Sequence, residues 1–346
     1  MLRFTSFYLF QLFYMSWCKA KVIYMSIIKK TLSFLGIFLI IYTLNFFLPR
    51  LMPGDPITYS MEGGDSMSGL SQEETAKLAA YYGLDKSLGE QFLNTVQNNL
   101  KGDFGQSIYY KKSVSEIIST HLPWTLYIML TTLFISLFFG LILAYLCIRF
   151  PKIDAVFYHI LSVLAEIPSY IIGILLLFLV AANVKWLPLS GNITSFKEFS
   201  NIFEMLQDII MHSILPISAM VLITVPQFYF VARSSLLSVR EKKYVLQAKA
   251  KGLSQRRIWW HYLLRNSIFP LISCFFMEMN TVIGGTLLIE NVFAYPGLGT
   301  IMSESVKYRD YALIQGVFLL STTMVLCSSY CSDLVNYFIG KEKTHE

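Results

Sequence analysis

The sequence predicts an all-α protein that crosses a membrane six times. Hydrophobic residues make up 55% of the chain, charged residues only 14%, and the apolar residues are collected in long uncharged runs. A soluble chain of this size would carry about a quarter charged residues. Lipid offers the backbone no hydrogen-bond partners, so segments at that depth must be helices or strands of a closed barrel. The short alternating strands of a barrel do not occur in the sequence.

Six apolar runs are long enough to cross the hydrocarbon layer. Five are uncharged over 18 residues or more, and another is interrupted only by Glu278. At 1.5 Å per residue, such a run covers most of the roughly 30 Å of that layer. The runs are 31–49, 122–148, 167–184, 209–232, 266–289 and 311–332. The helices predicted around them are about 28–48, 122–148, 156–182, 209–233, 266–289 and 311–339.

The first 24 residues are set apart from the first transmembrane helix, which is assigned to 25–49. Residues 4–18 are apolar but too short to span, and Lys19 and Lys21 follow this stretch, whereas a signal peptide has its charge in front. Met25 is followed by two lysines, Lys29 and Lys30, at the beginning of the first helix. We therefore predict that residues 1–24 lie upstream of the true translation start, with an interfacial anchor as the alternative.

Residues 50–120 are polar and are predicted to form a small helical subdomain outside the bilayer. A structureless loop of this length is uncommon. Pro123 is predicted to occupy the first turn of the membrane helix that follows. Start and stop signals divide the segment: capping boxes begin at Ser71 and Ser113, and glycines end short helices at Gly83 and Gly102.

Lysine and arginine determine the predicted orientation. Residues 121–340 form the five-helix core, and within it the segment 234–265 carries eight basic residues and one acid. With six spans, the basic tail 341–346 falls on the same side as this segment. Cytoplasmic loops are enriched in Lys and Arg. Both termini and the basic segment are therefore predicted to be cytoplasmic, and 50–120 extracytoplasmic.

The basic segment is predicted to fold as a helix, a break and a second helix. Residues 244–251 form the first helix, Gly252 is its left-handed cap, and Ser254 caps the second. A short projecting helix that is small at Ala248 and Ala250 can dock into a partner's groove. The alternative is a solvated basic loop that contacts only anionic lipid.

Acidic residues inside the spans are candidates for lining a translocation path. An acid at the bilayer centre costs about 2.5–3.5 kcal/mol on insertion scales, so it is expected to face the bundle interior or water. Glu278 in the fifth helix is the first candidate, and a structural hydrogen bond to another helix is the alternative. The further candidates are Glu166 in the third helix, Glu290 near the outer boundary of the fifth, and Asp333 in the sixth.

No catalytic, metal or cofactor site is predicted. The sequence contains no G-x-x-x-x-G-K-[ST], H-E-x-x-H or G-x-S-x-G motif. Cys327 and Cys331 are four residues apart, a spacing that suits a metal, but small apolar residues in a helix bundle are the favoured interpretation.

Several strings along the chain occur in an order and at a spacing that identify a family. Residues 244–254, followed by 264–266 and 269–270, resemble the cytoplasmic signature of binding-protein-dependent ABC permeases, and more narrowly the dipeptide, oligopeptide and nickel branch. The resemblance covers most of the chain from Met25. It also includes the strings at 51–56, 82–85, 102–107, 122–126, 289–299 and 309–311.

Two positions depart from the family signature. The acidic residue expected two positions before Ala248 is Leu246, and the leucine expected before the proline is Phe269. The peptide branch of the family varies at both positions, so docking of this segment to the ATPases is expected to be retained.

The resemblance implies a permease subunit of an ABC importer for di- or oligopeptides, or for nickel and metal chelates, in the cell membrane of a prokaryote. It implies four kinds of partner: a second, similar permease, two cytoplasmic ATPases that bind ATP and Mg²⁺, an extracytoplasmic solute-binding protein, and the lipid bilayer. The chain itself is then not an enzyme. The positions implied to couple to the ATPases are Tyr244, Val245, Ala248, Lys249, Ala250, Lys251, Gly252, Leu253 and Ser254.

Two other classes of protein compete with this interpretation. A secondary transporter would need inverted repeats around a midplane site, and the sequence shows no such repeat. An intramembrane enzyme would need paired acids, an activated serine or a metal motif within the spans. Transport without an ATPase would favour the first, and turnover by the isolated chain would favour the second.

Overall fold

The computed structural model describes residues 28–51, 72–81 and 83–343 of the 346-residue chain. The predictions for residues 1–24 and Ser71 lie outside the described residues. The described residues are mostly helical. The chain divides into two compact units, Met1–Leu44 and Asn45–Glu346.

Among the described residues, five helices are long and apolar enough to cross a membrane. They are α1 (Ile28–Arg50), α4 (Val114–Arg149), α7 (Ile202–Arg240), α9 (Gln255–Val292) and α11 (Tyr311–Lys343). Two helices between α4 and α7 form a bent pair: α5 (Pro151–Ala165), and α6 (Ser169–Leu176) with the π-helical turn Leu177–Ala181. Shorter helices are α2 (Gln72–Tyr81), α3 (Leu88–Leu100), α8 (Lys243–Ala250) and α10 (Leu298–Lys307).

The third predicted span is broken, so the prediction of one continuous helix over 156–182 is wrong. α5 and α6 meet at an angle of 98°. Pro168 explains the break, because proline lacks an N–H and disfavours helical backbone at the preceding Ile167. The tight turn expected from Arg149 to Asp154 is shorter in the structure: only Phe150 is non-helical there, and α5 already begins at Pro151.

Two further boundaries differ from the predictions. α4 begins at Val114, because the Ser113 hydroxyl accepts a hydrogen bond from the Glu116 N–H (3.3 Å) and caps the helix there. Pro123 therefore lies inside the helix, not in its first turn. No helix is predicted between the spans 266–289 and 311–339, and the structure places the amphipathic helix α10 there.

The short helices predicted within 50–120 are confirmed where they are described. α2 is followed by Gly83 and α3 by Gly102, both in the left-handed conformation that ends helices. At the start of α3, the side chains and backbones of Ser87 and Glu90 form a reciprocal capping box.

The main core of the second unit lies between α4, α7 and α9. Two glycines permit close contact between these helices. A Cβ at Gly140 of α4 would lie 2.6 Å from the Cβ of Phe228 in α7, and one at Gly285 of α9 would lie 2.8 Å from Met220. Small residues at such crossings allow membrane helices to pack backbone to backbone.

Candidate functional site

α8 ends in the cap predicted for it. Gly252 has a φ of +72°, in the left-handed region that favours glycine. Its N–H donates to the Lys249 carbonyl (2.9 Å), and the Leu253 N–H donates to the Ala248 carbonyl (3.2 Å). This pair of bonds is a Schellman motif. It fixes the direction in which the chain leaves α8, and the prediction for Gly252 is confirmed.

The start of α9 is also capped as predicted. The Ser254 hydroxyl accepts a hydrogen bond from the Arg257 N–H (3.4 Å). The first turns of α9 line an open cleft of about 390 Å³, formed by Ser254, Arg256, Arg257, Trp260 and His261.

One face of α8 is buried against its own chain. Val245 and Ala248 pack with Val239 near the end of α7 and with Ile258 in α9. Ala248 is only 3% exposed. These two predicted coupling residues therefore attach α8 to the ends of both long helices.

The opposite face of α8 is exposed and basic. Leu246, at the position where the family signature carries an acid, is 55% exposed. Tyr244 and Leu253 are half-buried at the two ends of the helix. The exposed residues of this face are Leu246, Gln247, Lys249, Ala250 and Lys251.

Glu278 and Asn280 have different surroundings in α9. The Asn280 amide donates to Ser329 of α11 (2.8 Å) and its oxygen accepts a hydrogen bond from Ser328. Glu278, two residues earlier, is half-buried and forms no hydrogen bond or ion pair with the described residues. α9 is thus held to α11 by polar side chains on one side and carries an unpaired acid on another.

A second tier of polar contacts joins α9 to α11. Ser273 lies 3.2 Å from the Ser332 hydroxyl and donates to the Asn336 side-chain oxygen (2.7 Å). Sequence reasoning missed these contacts, although small polar residues recurring in two apolar runs are their signal.

Glu290 is fully buried, at the end of α9 opposite α8. Its carboxylate accepts a hydrogen bond from the Gly299 N–H (2.5 Å) in the first turn of α10. An acid suits this place, because the N-terminus of a helix carries partial positive charge. A Cβ at Gly297 would lie 2.2 Å from the same carboxyl group. In this structure Glu290 holds α10 against α9, and its role in lining a path stays a prediction.

Glu166 is exposed at the bend between α5 and α6. α5 itself is fixed to α7 by an ion pair that the sequence did not reveal. Arg233 donates to both oxygens of Asp154 (2.7 and 2.5 Å), and the Tyr229 hydroxyl donates to Asp154 as well (3.0 Å). The sequence signal for this ion pair was limited to single charged residues, Asp154 and Arg233, close to the ends of apolar runs.

Asp310 joins two of the family strings, 102–107 and 309–311. It is completely buried, and one of its oxygens accepts hydrogen bonds from the Ser107 hydroxyl (2.5 Å) and the Tyr109 N–H (3.2 Å). Its other oxygen caps α11 by accepting from the Leu313 N–H (3.2 Å). Burial raises the pKa of Asp310 above its ordinary value, while the Ser107 hydroxyl and the backbone donors oppose that rise.

Replacing Asp310 by alanine is expected to lower the free energy of unfolding by about 2–3 kcal/mol, because hydrogen bonds to a charged group and a helix cap are lost together. Thermal unfolding in detergent measures the loss. The matched control is Asp103→Ala, which removes an exposed carboxylate bonded to the Gly105 N–H (2.9 Å). Equal effects of the two substitutions would contradict the structural role of Asp310.

Comparison with known proteins gives a consistent set of similarities. The family model described as binding-protein-dependent transport system inner membrane component matches residues 136–345. The chain is 32% identical over 312 residues to the oligopeptide transport system permease protein AppB of Bacillus subtilis, covering 89% of this chain and 96% of AppB. It is 28% identical over 320 residues to the nickel import system permease protein NikB of Staphylococcus aureus, covering 92% and 91%.

Solved structures are also similar to this chain, as one example shows. It is the methionine ABC transporter MetNI in an inward-facing conformation, with 18% identity and a TM-score of 0.48. The match covers 63% of this chain and 96% of the MetNI chain.

Proposed function

Because this chain belongs to the family of binding-protein-dependent transport system inner membrane components, we propose that it forms half of an importer's translocation path and that α8 couples it to ATPase partners. The chain is a multi-pass membrane permease subunit of an ABC importer. Such permeases act with ATPase and solute-binding partners. The specific assembly we propose has a second, similar permease, two cytoplasmic ATPases and one extracytoplasmic solute-binding protein.

The proposed solutes are di- or oligopeptides, or nickel and other metal chelates. The names of the relatives support this range, since they include an oligopeptide permease and a nickel permease. In this proposal the permease supplies the path, ATP and Mg²⁺ bind to the ATPases, and the solute-binding protein contributes much of the selection.

The coupling proposal rests on the difference between the buried and the exposed face of α8. Its buried face is attached to α7 and α9 through Val245 and Ala248, and its opposite face is free to contact another protein. A displacement of α8 is therefore passed to two membrane helices at once. ATP-driven closure of the ATPases would shift the path between two states, provided that the ATPases bind α8 differently in each state.

α9 is the helix that we propose to carry this displacement towards the path. It begins beside α8, holds Glu278 within the bilayer and ends at Val292, two residues after Glu290. The unpaired Glu278 is the proposed path-facing acid, because an ionisable side chain at that depth is stable only against water, solute or a partner. Glu166, exposed at the bend between α5 and α6, is the second proposed position.

Co-purification tests the role of α8. The chain is expressed with candidate ATPases and a candidate second permease, extracted in mild detergent, and compared with the double variant Leu246→Arg, Ala250→Arg. Both positions are exposed, so the change alters only the outward face. We expect the native chain to retain the ATPases and the variant to lose them. Ala248 is unsuitable for this purpose, since a charge there would be buried within the chain itself.

The control places the same kind of change elsewhere. Leu93→Arg with Leu100→Arg alters two exposed leucines of α3, which lies outside the basic segment. This control is expected to retain the ATPases. Retention by the α8 variant as well would show that the basic segment is only a solvated loop, and ATP-independent uptake would favour a secondary transporter.

A further inference from the structure

The connection between α6 and α7 exposes large apolar side chains on the side of the bundle opposite α8. Phe196 is fully exposed, and Phe203 in the first turn of α7 is 79% exposed. We call these residues and their neighbours the apolar tip, which comprises Trp186, Leu189, Phe196, Ile202, Phe203 and Leu206. No core residue of the described chain covers them.

Several polar side chains of the same connection pair with each other. The Asp208 carboxylate accepts hydrogen bonds from the Thr194 N–H (2.6 Å) and hydroxyl (2.7 Å). Lys197 pairs with Glu204 (3.2 Å) and lies 3.8 Å from Asp208. The buried His212 ring lies 3.5 Å from the Asp208 carboxylate. The connection thus exposes apolar side chains beside charged ones, since Lys197 remains 38% exposed and Lys185 and Glu198 are exposed as well.

The backbone of the tip is held in place. Phe196 has a φ of +60°, a left-handed conformation that bulky residues adopt only when the surroundings impose it. The hydrogen bonds from Thr194 to Asp208 supply that constraint on one side. A second constraint is the hydrogen bond that the Gly191 N–H donates to the Phe293 carbonyl at the end of α9 (2.9 Å). The exposed phenyl ring is therefore presented by a fixed loop.

We propose that the apolar tip inserts into the lipid interface of the bilayer, on the side opposite α8, and acts as a second membrane contact beside the spanning helices. Exposed aromatic and aliphatic side chains beside charged ones match the headgroup level, where the apolar and the polar parts of a segment both find suitable surroundings. Aromatic residues are also typical of the headgroup level.

The length of α7 places the tip at the required depth. Its 39 residues extend about 58 Å, compared with about 40–45 Å for a bilayer with its headgroups. The uncharged run of α7 begins at residue 209, so Ile202 lies only about 10 Å beyond it along the helix axis. That distance is comparable with the thickness of the headgroup layer, where an interfacial segment lies.

A site-specific fluorescent probe tests this proposal on the full chain. Dansylalanine is incorporated in place of Phe196, or in place of exposed Lys101 after α3 as the control. Each protein is reconstituted into vesicles of phosphatidylethanolamine and phosphatidylglycerol containing a lipid spin-labelled near its headgroup. We expect the probe at 196 to emit at shorter wavelength, to be quenched several-fold more strongly by the spin-labelled lipid, and to be shielded from aqueous iodide.

Two outcomes would overturn the proposal. Iodide quenching at 196 as strong as at 101, without quenching by the spin-labelled lipid, would show that the tip is in water. Protection at 196 that occurs only after a solute-binding protein is added would show a protein-docking surface instead of a lipid contact. The probe occupies a fully exposed position, so it does not disturb the packing of the core.

Discussion

Gly297→Ala is expected to destabilise the end of α9 strongly. A Cβ at this position would lie 2.2 Å from the Glu290 carboxyl group, which is itself fully buried. Neither group can move into solvent, so α10 must shift away from α9 and lose the hydrogen bond from Gly299. We expect the free energy of unfolding to fall by about 2–3 kcal/mol, at the upper end of the usual cost of overpacking, as measured by thermal unfolding in detergent.

The double variant Gly297→Ala, Glu290→Ala separates this clash from a general defect. Glu290→Ala alone removes the acceptor for Gly299 and should cost about 1.5–3 kcal/mol. It also removes the atoms that the new methyl group would meet. The combined loss should therefore be clearly smaller than the sum of the single losses. Additive losses would show that the two residues do not interact as described.

Arg233→Met is expected to release α5 from α7. The guanidinium makes two short hydrogen bonds to Asp154, and the two side chains are 28% and 23% exposed. Removing the cation leaves a half-buried carboxylate with only the Tyr229 hydroxyl as a donor. We expect a loss of about 1–3 kcal/mol, below the cost for a fully buried pair because solvent screens part of the interaction.

Two controls test this ion pair. Arg233→Met combined with Asp154→Leu should recover much of the lost stability, because no unpaired charge remains. Lys112→Met removes an exposed cation 3.0 Å from Glu116, with both side chains more than half exposed, and should cost less than about 0.5 kcal/mol. No recovery in the double variant would contradict the pairing.

Hydropathy and local capping signals predicted much of the fold. The apolar runs predicted where the membrane-spanning helices lie, because a backbone in lipid must form its own hydrogen bonds. Gly252 and Ser254 were identified correctly because their conformations depend on neighbours within a few residues. Pro168 is a sequence signal for the break between α5 and α6, but the apolar run 167–184 that contains it is long enough to predict one continuous helix.

The contacts that fix the helices to each other could not be predicted. Asp310 bonds to Ser107, 203 residues away, and Arg233 bonds to Asp154, 79 residues away. Neither partner carries a local signal that specifies the other. Glu290 shows the same limit, since its spacing from Gly299 gives no sign that the chain folds back and places α10 on the carboxylate.

ATP-driven uptake into proteoliposomes tests the central claim, that α8 couples this permease to its ATPases. Vesicles containing the chain, a second permease, the ATPases and the solute-binding protein are supplied with ATP inside or outside. We expect ATP-dependent solute uptake by the native assembly and its loss with Leu246→Arg, Ala250→Arg, while Leu93→Arg, Leu100→Arg retains it. Undiminished ATP-driven uptake by the α8 variant, or uptake without the ATPases, would show that α8 does not couple the permease to ATP hydrolysis.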